Sequence, residues 1–266
     1  MGFMEREVLP GVWHIRDGLG VCFTLLTGAS RALLVDAGYG IEDVSAFIHT
    51  LTDLPVTLWL THGHFDHAPG ARWFEDVRLC PAELPVYERY AGADGPRRLA
   101  DMAAEAGLSV EQPDRLPPKP RSVPGETLCL GGLTARVIPC PGHTPGSAAV
   151  FVPERGLLLT GDDWNPCTWL FFPEALPVET WRENLRGLMD LPFEWVLCPH
   201  REKLYPRQAL ETFLDAATDA ALDAAVPSDA SAPYGIDAVE VHLPGEGLLV
   251  FDPRKRGQGV NSTAIR

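Results

Sequence analysis

Hydrophobic positions along this chain fall into short blocks, not into one sustained helical repeat. GVWHI (11–15), VCFTLLTG (21–28) and RALLVDAG (31–38) are apolar, β-branched runs cut by glycines, which is the pattern of strands. IEDVSAFIHTL (41–51) changes period, placing Ile41, Val44, Phe47, Ile48 and Leu51 on one helical face. Pro55 then opens VTLWL (56–60), apolar throughout and suited to a strand buried on both faces. Strand, helix, strand in that order predicts a layered α/β fold, not a helical bundle.

From Cys80 to about residue 112 the pattern turns helical, and PDRLPPKPRSVPGE (113–126) reads as a proline-rich connector. Strands resume with TLCL, LTARVIPC, SAAVFV and GLLLTGD. Residues 178–190 predict a helix, FEWVLCPH a strand ending at His200, and 206–225 an Ala-rich helix. VEVHLPGEGLLVFD (239–252) reads as a closing hairpin. Two β-rich halves around a helical insert suit two sheets packed face to face. The expected organisation is one domain over 1–266, with its core at about 12–200, an insert at about 80–112, and a C-terminal helix and hairpin at 206–252.

Totals narrow the function. The chain has 266 residues, 45% of them hydrophobic, so it can bury a sizeable core. A net charge of −14 disfavours nucleic acid and anionic membrane surfaces, leaving a small-molecule substrate as the expected partner. Cys22, Cys80, Cys129, Cys140, Cys167 and Cys198 form no C-x-x-C pair, which fits reduced thiols in a cytoplasm. MGFMEREVLPG has no apolar core of signal-peptide length, Arg6 stands where a myristoylation signal wants Ser or Thr, and no apolar run approaches the roughly 20 residues of a bilayer span. Oligomeric state is left open, a homo-oligomer included.

The chemistry concentrates in THGHFDHAPG (61–70), where three of the chain's eight histidines crowd beside an aspartate. His62 and His64 leave a strand end two positions apart, so both imidazoles face one way and can reach one cation. Asp66 and His67 follow where the chain turns, within reach of a neighbouring cation. Further candidate ligands also follow strand ends: His143 in IPCPGHTPGS, Asp162 in LLLTGDDW and His200 in LCPHREK. Imidazole nitrogen and carboxylate oxygen suit zinc, and hydrolytic sites with two metals hold them about 3.5–4 Å apart. His14, His49 and His242 have no such company and read as structural or solvated.

This series, with Asp36 in VDAG, resembles the metallo-β-lactamase superfamily over roughly residues 12–200. The resemblance implies an αββα sandwich of two mixed β-sheets flanked by helices, with a dinuclear site between the sheet edges. It implies His62, His64 and His143 as ligands of a first metal, Asp66, His67 and His200 as ligands of a second, and Asp162 as the bridge. Two zinc ions are the expected cofactors, with iron and manganese as the other candidates. The PGHTPGS turn is similar to the glyoxalase II, persulfide dioxygenase and lactonase branches. The glyoxalase II members carry basic residues for glutathione in a helical C-terminal region. Here that region is Ala- and Asp-rich, with Arg201, Lys203 and Arg207 nearby, and does not point to glutathione.

A metal-bridging hydroxide would then attack a small ester, thioester or lactone, with Asp66 and Asp162 as the catalytic carboxylates. The alternatives are a mono-iron persulfide dioxygenase using positions such as His62, His143 and Asp162, or a nucleic-acid-processing relative. Asp36 is either a turn-former or an acceptor that orients a ligand. Thr61, Thr144 and Ser147 are candidates for the same supporting task, and Cys140 and Cys198 for small apolar packing. Asp163, beside the proposed bridge, is expected to face solvent or cap the turn. WNPCTWLFFPE (164–174) concentrates Trp164, Trp169, Phe171 and Phe172. These four either wall a substrate pocket beside the metals or belong to the core or a dimer contact.

Overall fold

Why the chain builds two faces is visible in the alternation of its strands. The structure is a computed structural model that describes residues 2–92, 95–110 and 118–258, so 111–117, at the end of the predicted insert and the start of the connector, lie outside the described residues. The first sheet runs in the order β1 (Met4–Leu9), β2 (Val12–Arg16), β3 (Cys22–Thr27), β4 (Ala32–Val35), β5 (Val56–Trp59), β6 (Val77–Leu79) and β7 (Arg121–Ser122). It is antiparallel as far as β4 and parallel beyond. Helix α1 (Val44–Leu51) covers it, beginning later than the apolar spacing suggests. The reason is Asp43, which stays extended and caps the helix through its side chain, 2.8 Å from the Ala46 amide.

The predicted insert supplies two helices, α2 (Leu84–Ala91) and α3 (Gly95–Glu105). There follow β8 (Thr127–Cys129), β9 (Thr134–Pro139), β10 (Ala148–Val152), β11 (Leu157–Leu159), β12 (Cys167–Leu170), α4 (Val178–Gly187), β13 (Trp195–Leu197) and β14 (Tyr205–Pro206). The second sheet has the order β14-β13-β11-β10-β9-β8. The Ala-rich segment is two helices, α5 (Arg207–Ala216) and α6 (Asp219–Asp223), interrupted where Thr218 caps the second. The chain closes through β15 (Val226–Pro227), β16 (Val239–Leu243) and β17 (Gly247–Phe251).

Alternate residues of one strand serve different layers. Leu26, Leu33, Val35 and Trp59 meet Val137, Val150, Leu159 and Leu197 between the two sheets. Their neighbours Leu25, Leu34 and Leu58 point outward onto Val44 and Ile48 of α1. On the far side Phe151, Leu158 and Val196 pack under Trp181 and Leu185 of α4 and Leu210 and Phe213 of α5. The result is a helix–sheet–sheet–helix sandwich, in which each fully buried large apolar side chain contributes about 1.5–3 kcal/mol.

One element departs from the two-sheet expectation. The segment CTWL is a strand, β12, that pairs in parallel with β17 and forms a third sheet of order β12-β17-β16-β15. Its partner lies some eighty positions on, so nothing local announces it. No helix among the described residues is long and apolar enough to cross a membrane.

Topology also decides where the chemistry falls. β4 and β5 are parallel, so their C-terminal ends share one end of the first sheet. β9 and β11 both run antiparallel to β10, and β13 runs parallel to β11, so these three also end together. Residues 36, 61–67, 143, 162 and 200 all follow these ends.

Candidate metal centre

The strand ends bring the seven metal-ligating side chains into two adjoining groups. Ligating atoms of His62, His64 and His143 lie within 4.8 Å of one another, and so do those of Asp66, His67, Asp162 and His200. Asp162 joins the groups: its Oδ2 is 3.1 Å from His200 Nε2 and 3.7 Å from His143 Nε2.

Each imidazole except His200 is aimed by an acceptor on its outer nitrogen. His62 Nδ1 donates to Thr61 Oγ1 at 3.0 Å, and that hydroxyl donates in turn to Asp36 Oδ2 at 2.7 Å. His67 Nδ1 donates to the same Asp36 oxygen at 3.0 Å. His143 Nδ1 donates to the Trp169 carbonyl at 2.7 Å, and His64 Nε2 to Glu174 Oε1 at 2.8 Å. These bonds fix the tautomers and turn His62 Nε2, His67 Nε2, His143 Nε2 and His64 Nδ1 inward as lone pairs.

The inward atoms fit cations. His62 Nε2, His67 Nε2 and Asp162 Oδ1 are buried without a hydrogen-bond partner among the described residues, an expensive arrangement for polar atoms. His64 Nδ1 and His143 Nε2 stand 2.8 Å apart, where facing lone pairs repel unless a positive centre lies beside them. Electrostatics separates the groups. Burial drives His62 far below its ordinary value, aided by His67, His64 and His143; burial and His64 bring His143 down to about 4. The second group behaves oppositely. Burial opposes charge on Asp66, yet His67 and His200 hold it down at about 2. Burial likewise opposes charge on His67, but Asp66, Asp162 and Asp36 raise it well above its ordinary value. One pocket therefore offers neutral nitrogen and the other anionic oxygen.

Asp36 does this from a strained position. Its φ of 62° makes it the one non-glycine residue in the left-handed region among the described residues, and its Oδ1 also takes the Thr61 amide at 2.7 Å. Gly161, immediately before Asp162, has φ 51°, and a Cβ there would lie 2.8 Å from Thr61 Oγ1. The two sheets touch at that point, and only glycine admits the contact.

Two carboxylates escaped the sequence reading. Glu83, fully buried just before α2, takes the Gly63 amide at 2.9 Å, the Thr144 hydroxyl at 2.8 Å and the Gly146 amide at 2.9 Å. It thereby clamps the His62–His64 turn to the His143 turn. Thr144 and Ser147 join their hydroxyls at 2.8 Å inside that clamp. Burial opposes charge on Glu174, yet the His64 imidazole and the Tyr90 hydroxyl together hold it at about 2, and Arg89 of α2 reaches it at 3.2 Å. Their partners are 20 to 110 positions away, so no local pattern marks them.

Asp163 differs from its expectation. It is 1% exposed, its Oδ1 accepts the His143 amide at 3.0 Å, and its carbonyl accepts Trp181 Nε1 at 2.6 Å. Burial pushes its carboxyl well above the usual range, with Asp162 and Glu83 adding to the effect. Asp163 neither faces solvent nor simply caps a turn; it fixes the loop that carries His143.

The aromatic run divides. A cavity of about 620 Å³ opens over His64, Asp66, His143, Asp162 and His200, and Trp169 and Phe172 line it. Trp164 instead packs in the core against Tyr205 and Phe213, with centroids 5.4 and 6.3 Å away. Phe171 is buried with Ala238 and Val250 under the third sheet. Alternation along β12 and its extension explains the split between Trp169 and its neighbour Leu170. Cys140 and Cys198 lie in the apolar core, and all six cysteines are free. His14 is buried, 2.9 Å from the Arg201 carbonyl, while His49 and His242 are exposed; none belongs to either donor group.

Comparison with known proteins agrees with this geometry. Residues 16–200 match the Metallo-beta-lactamase superfamily. An acyl-coenzyme A thioesterase, MBLAC2, of Gallus gallus is 28% identical over 217 residues, covering 71% of this chain and 76% of that protein. A hydroxyacylglutathione hydrolase of Maricaulis maris is 31% identical over 146 residues, covering 54% of this chain and 47% of its own length. Among solved structures, TTHA1623 in a di-iron-bound form superposes with a TM-score of 0.52 at 28% identity, covering 74% of this chain and 93% of that one. The chain belongs to the metallo-beta-lactamase superfamily, and it is a hydrolase of that fold.

Proposed function

We propose that the protein is a dinuclear metal-dependent hydrolase of a small ester, thioester or lactone. The carrying observation is the pair of adjoining donor groups, three imidazoles and then a mixed carboxylate–imidazole set, beneath one cavity. The di-iron form of a structural relative and the thioesterase and hydroxyacylglutathione hydrolase among its sequence relatives support the same reading.

His62, His64 and His143 would hold one cation, Asp66, His67 and His200 the other, with Asp162 shared between them. Such a pair, when bound, supplies a nucleophilic water at neutral pH and polarises the scissile carbonyl. Asp66 borders the cavity with a quarter of its side chain exposed, so it can accept the proton of the attacking water and return it to the leaving group. Asp36, Glu83 and Glu174 act through the ligands they hold. Their fixed hydrogen bonds keep the donor atoms aimed, so little reorganisation is needed during reaction.

Metal analysis of protein purified without added metal, paired with a panel of thioesters, esters and lactones, tests the proposal. Close to two metals per chain with metal-dependent hydrolysis is expected. One iron per chain with oxygen uptake would place the protein with the dioxygenases instead.

A further inference from the structure

Beyond the metal donors, the cavity presents rings: Tyr90 of α2 stands with its centroid 5.1 Å from that of His64, and two further groups lie in separate apolar clusters. Trp169, Phe172 and Tyr234 touch one another with centroids 5.1–6.4 Å apart, and the first two pack on the core of the third sheet. Tyr39 and Phe65 meet edge to face at 5.9 Å and pack instead with Ile41 and Leu99 beside α3. All five line the same cavity, yet each group is anchored in its own apolar cluster. Arg201 is the cation in the lining among the described residues, and it donates to the His200 carbonyl at 2.8 Å with Glu246 4.0 Å away.

We infer that the substrate's acyl group is an aromatic ring or a similarly flat, bulky apolar group, seated between the Trp169–Phe172–Tyr234 cluster and the Tyr39–Phe65 pair. The inference rests on the hydrolase reading and specifies what that reading left open. Volume favours it, since about 620 Å³ far exceeds an acetyl group and lies well inside the range of sites for ring-bearing ligands. Ring chemistry favours it too. Aromatic side chains gain from offset or edge contacts with a planar partner in addition to the apolar area buried, and a flexible chain makes fewer such contacts. A polar hydroxyacyl group would meet mostly carbon along these walls.

Binding of carboxylate products to the metal-loaded protein tests this independently of turnover. Phenylacetate, hexanoate and acetate share the group that meets the metal centre and differ in the part that meets the rings. Calorimetry should find phenylacetate at least about tenfold tighter than acetate, and tighter than hexanoate. Trp169→Leu and Phe65→Leu, which keep an apolar side chain but remove the ring, should each reduce the phenylacetate-to-acetate ratio about fivefold with metal content unchanged. Wild-type affinities for phenylacetate and acetate within twofold, hexanoate as the tightest ligand, or an undiminished ratio in both variants would overturn the slot. Absence of hydrolysis across the whole panel of thioesters, esters and lactones, alongside the expected binding ratios, would overturn the hydrolase reading and leave the slot standing.

Discussion

At the scale of single residues, neighbours in sequence carry opposite expectations. Asp162 belongs to the second donor group and lies 3.7 Å from His143 Nε2 of the first, so Asp162→Asn should empty one metal position and lower hydrolysis at least about a hundredfold with the fold intact. Metal content and kcat/KM measured together check this; full activity with full metal would remove Asp162 from the bridge. Burial pushes the Asp163 carboxyl above the usual range, and asparagine keeps an oxygen that can accept the His143 amide. Asp163→Asn should therefore change stability by less than about 1 kcal/mol, whereas Asp163→Ala strands the His143 amide and should cost about 1–3 kcal/mol in denaturant unfolding. Equal losses in both variants would mean that the hydrogen bond to the His143 amide is not what Asp163 contributes. The grouping of the seven candidate donors was legible because residues 62–67 form a dense local motif and His143, Asp162 and His200 each follow a strand end. Glu83, Glu174 and the Tyr39–Phe65 pair were not, because each draws its role from chain that is distant in sequence or from the shape of a cavity.

Elements matter here chiefly where they meet. Gly161 is the contact between the end of β11 in the second sheet and Thr61 beyond β5 in the first. A Cβ at Gly161 meets Thr61 Oγ1 at 2.8 Å and Cβ at 2.9 Å, on a backbone that already disfavours side chains. Gly161→Ala should cost roughly 1–3 kcal/mol and weaken metal binding, since Thr61 also orients His62. Unchanged unfolding and unchanged metal affinity would show that the sheet edges can part freely. The sandwich itself was legible because its strands are apolar blocks bounded by turns. The third sheet was not: β12 is four residues long and pairs with a strand near the other end of the chain. β1 was hidden differently, being an edge strand that is largely polar and exposed, MEREVL, without the apolar alternation of a buried one.

For the molecule as a whole, cations and folding are linked. The donor atoms left without partners are buried, and cations bound to the native arrangement stabilise it by mass action. Exhaustive chelation should lower unfolding stability, by about 2.7 kcal/mol where the free metal had stood at a hundred times its dissociation constant. Denaturation midpoints with and without chelator measure it, and coincident curves would exclude tight binding to this centre. One contact described by neither group of donors then acquires a meaning in time. Lys255 Nζ donates to the carbonyls of Phe172, Pro173 and Ala175 at 2.9, 2.9 and 2.6 Å, spanning the segment that carries Glu174 and a cavity wall. β17 likewise must exist before β12 has a partner. A ribosome that has passed residue 200 has already made all seven donors, but not the strand or the lysine that secure the wall above them. A released chain ending at residue 246 should therefore keep all seven donors yet hold substrate weakly, because β17 and Lys255, which secure the cavity wall, are missing from it.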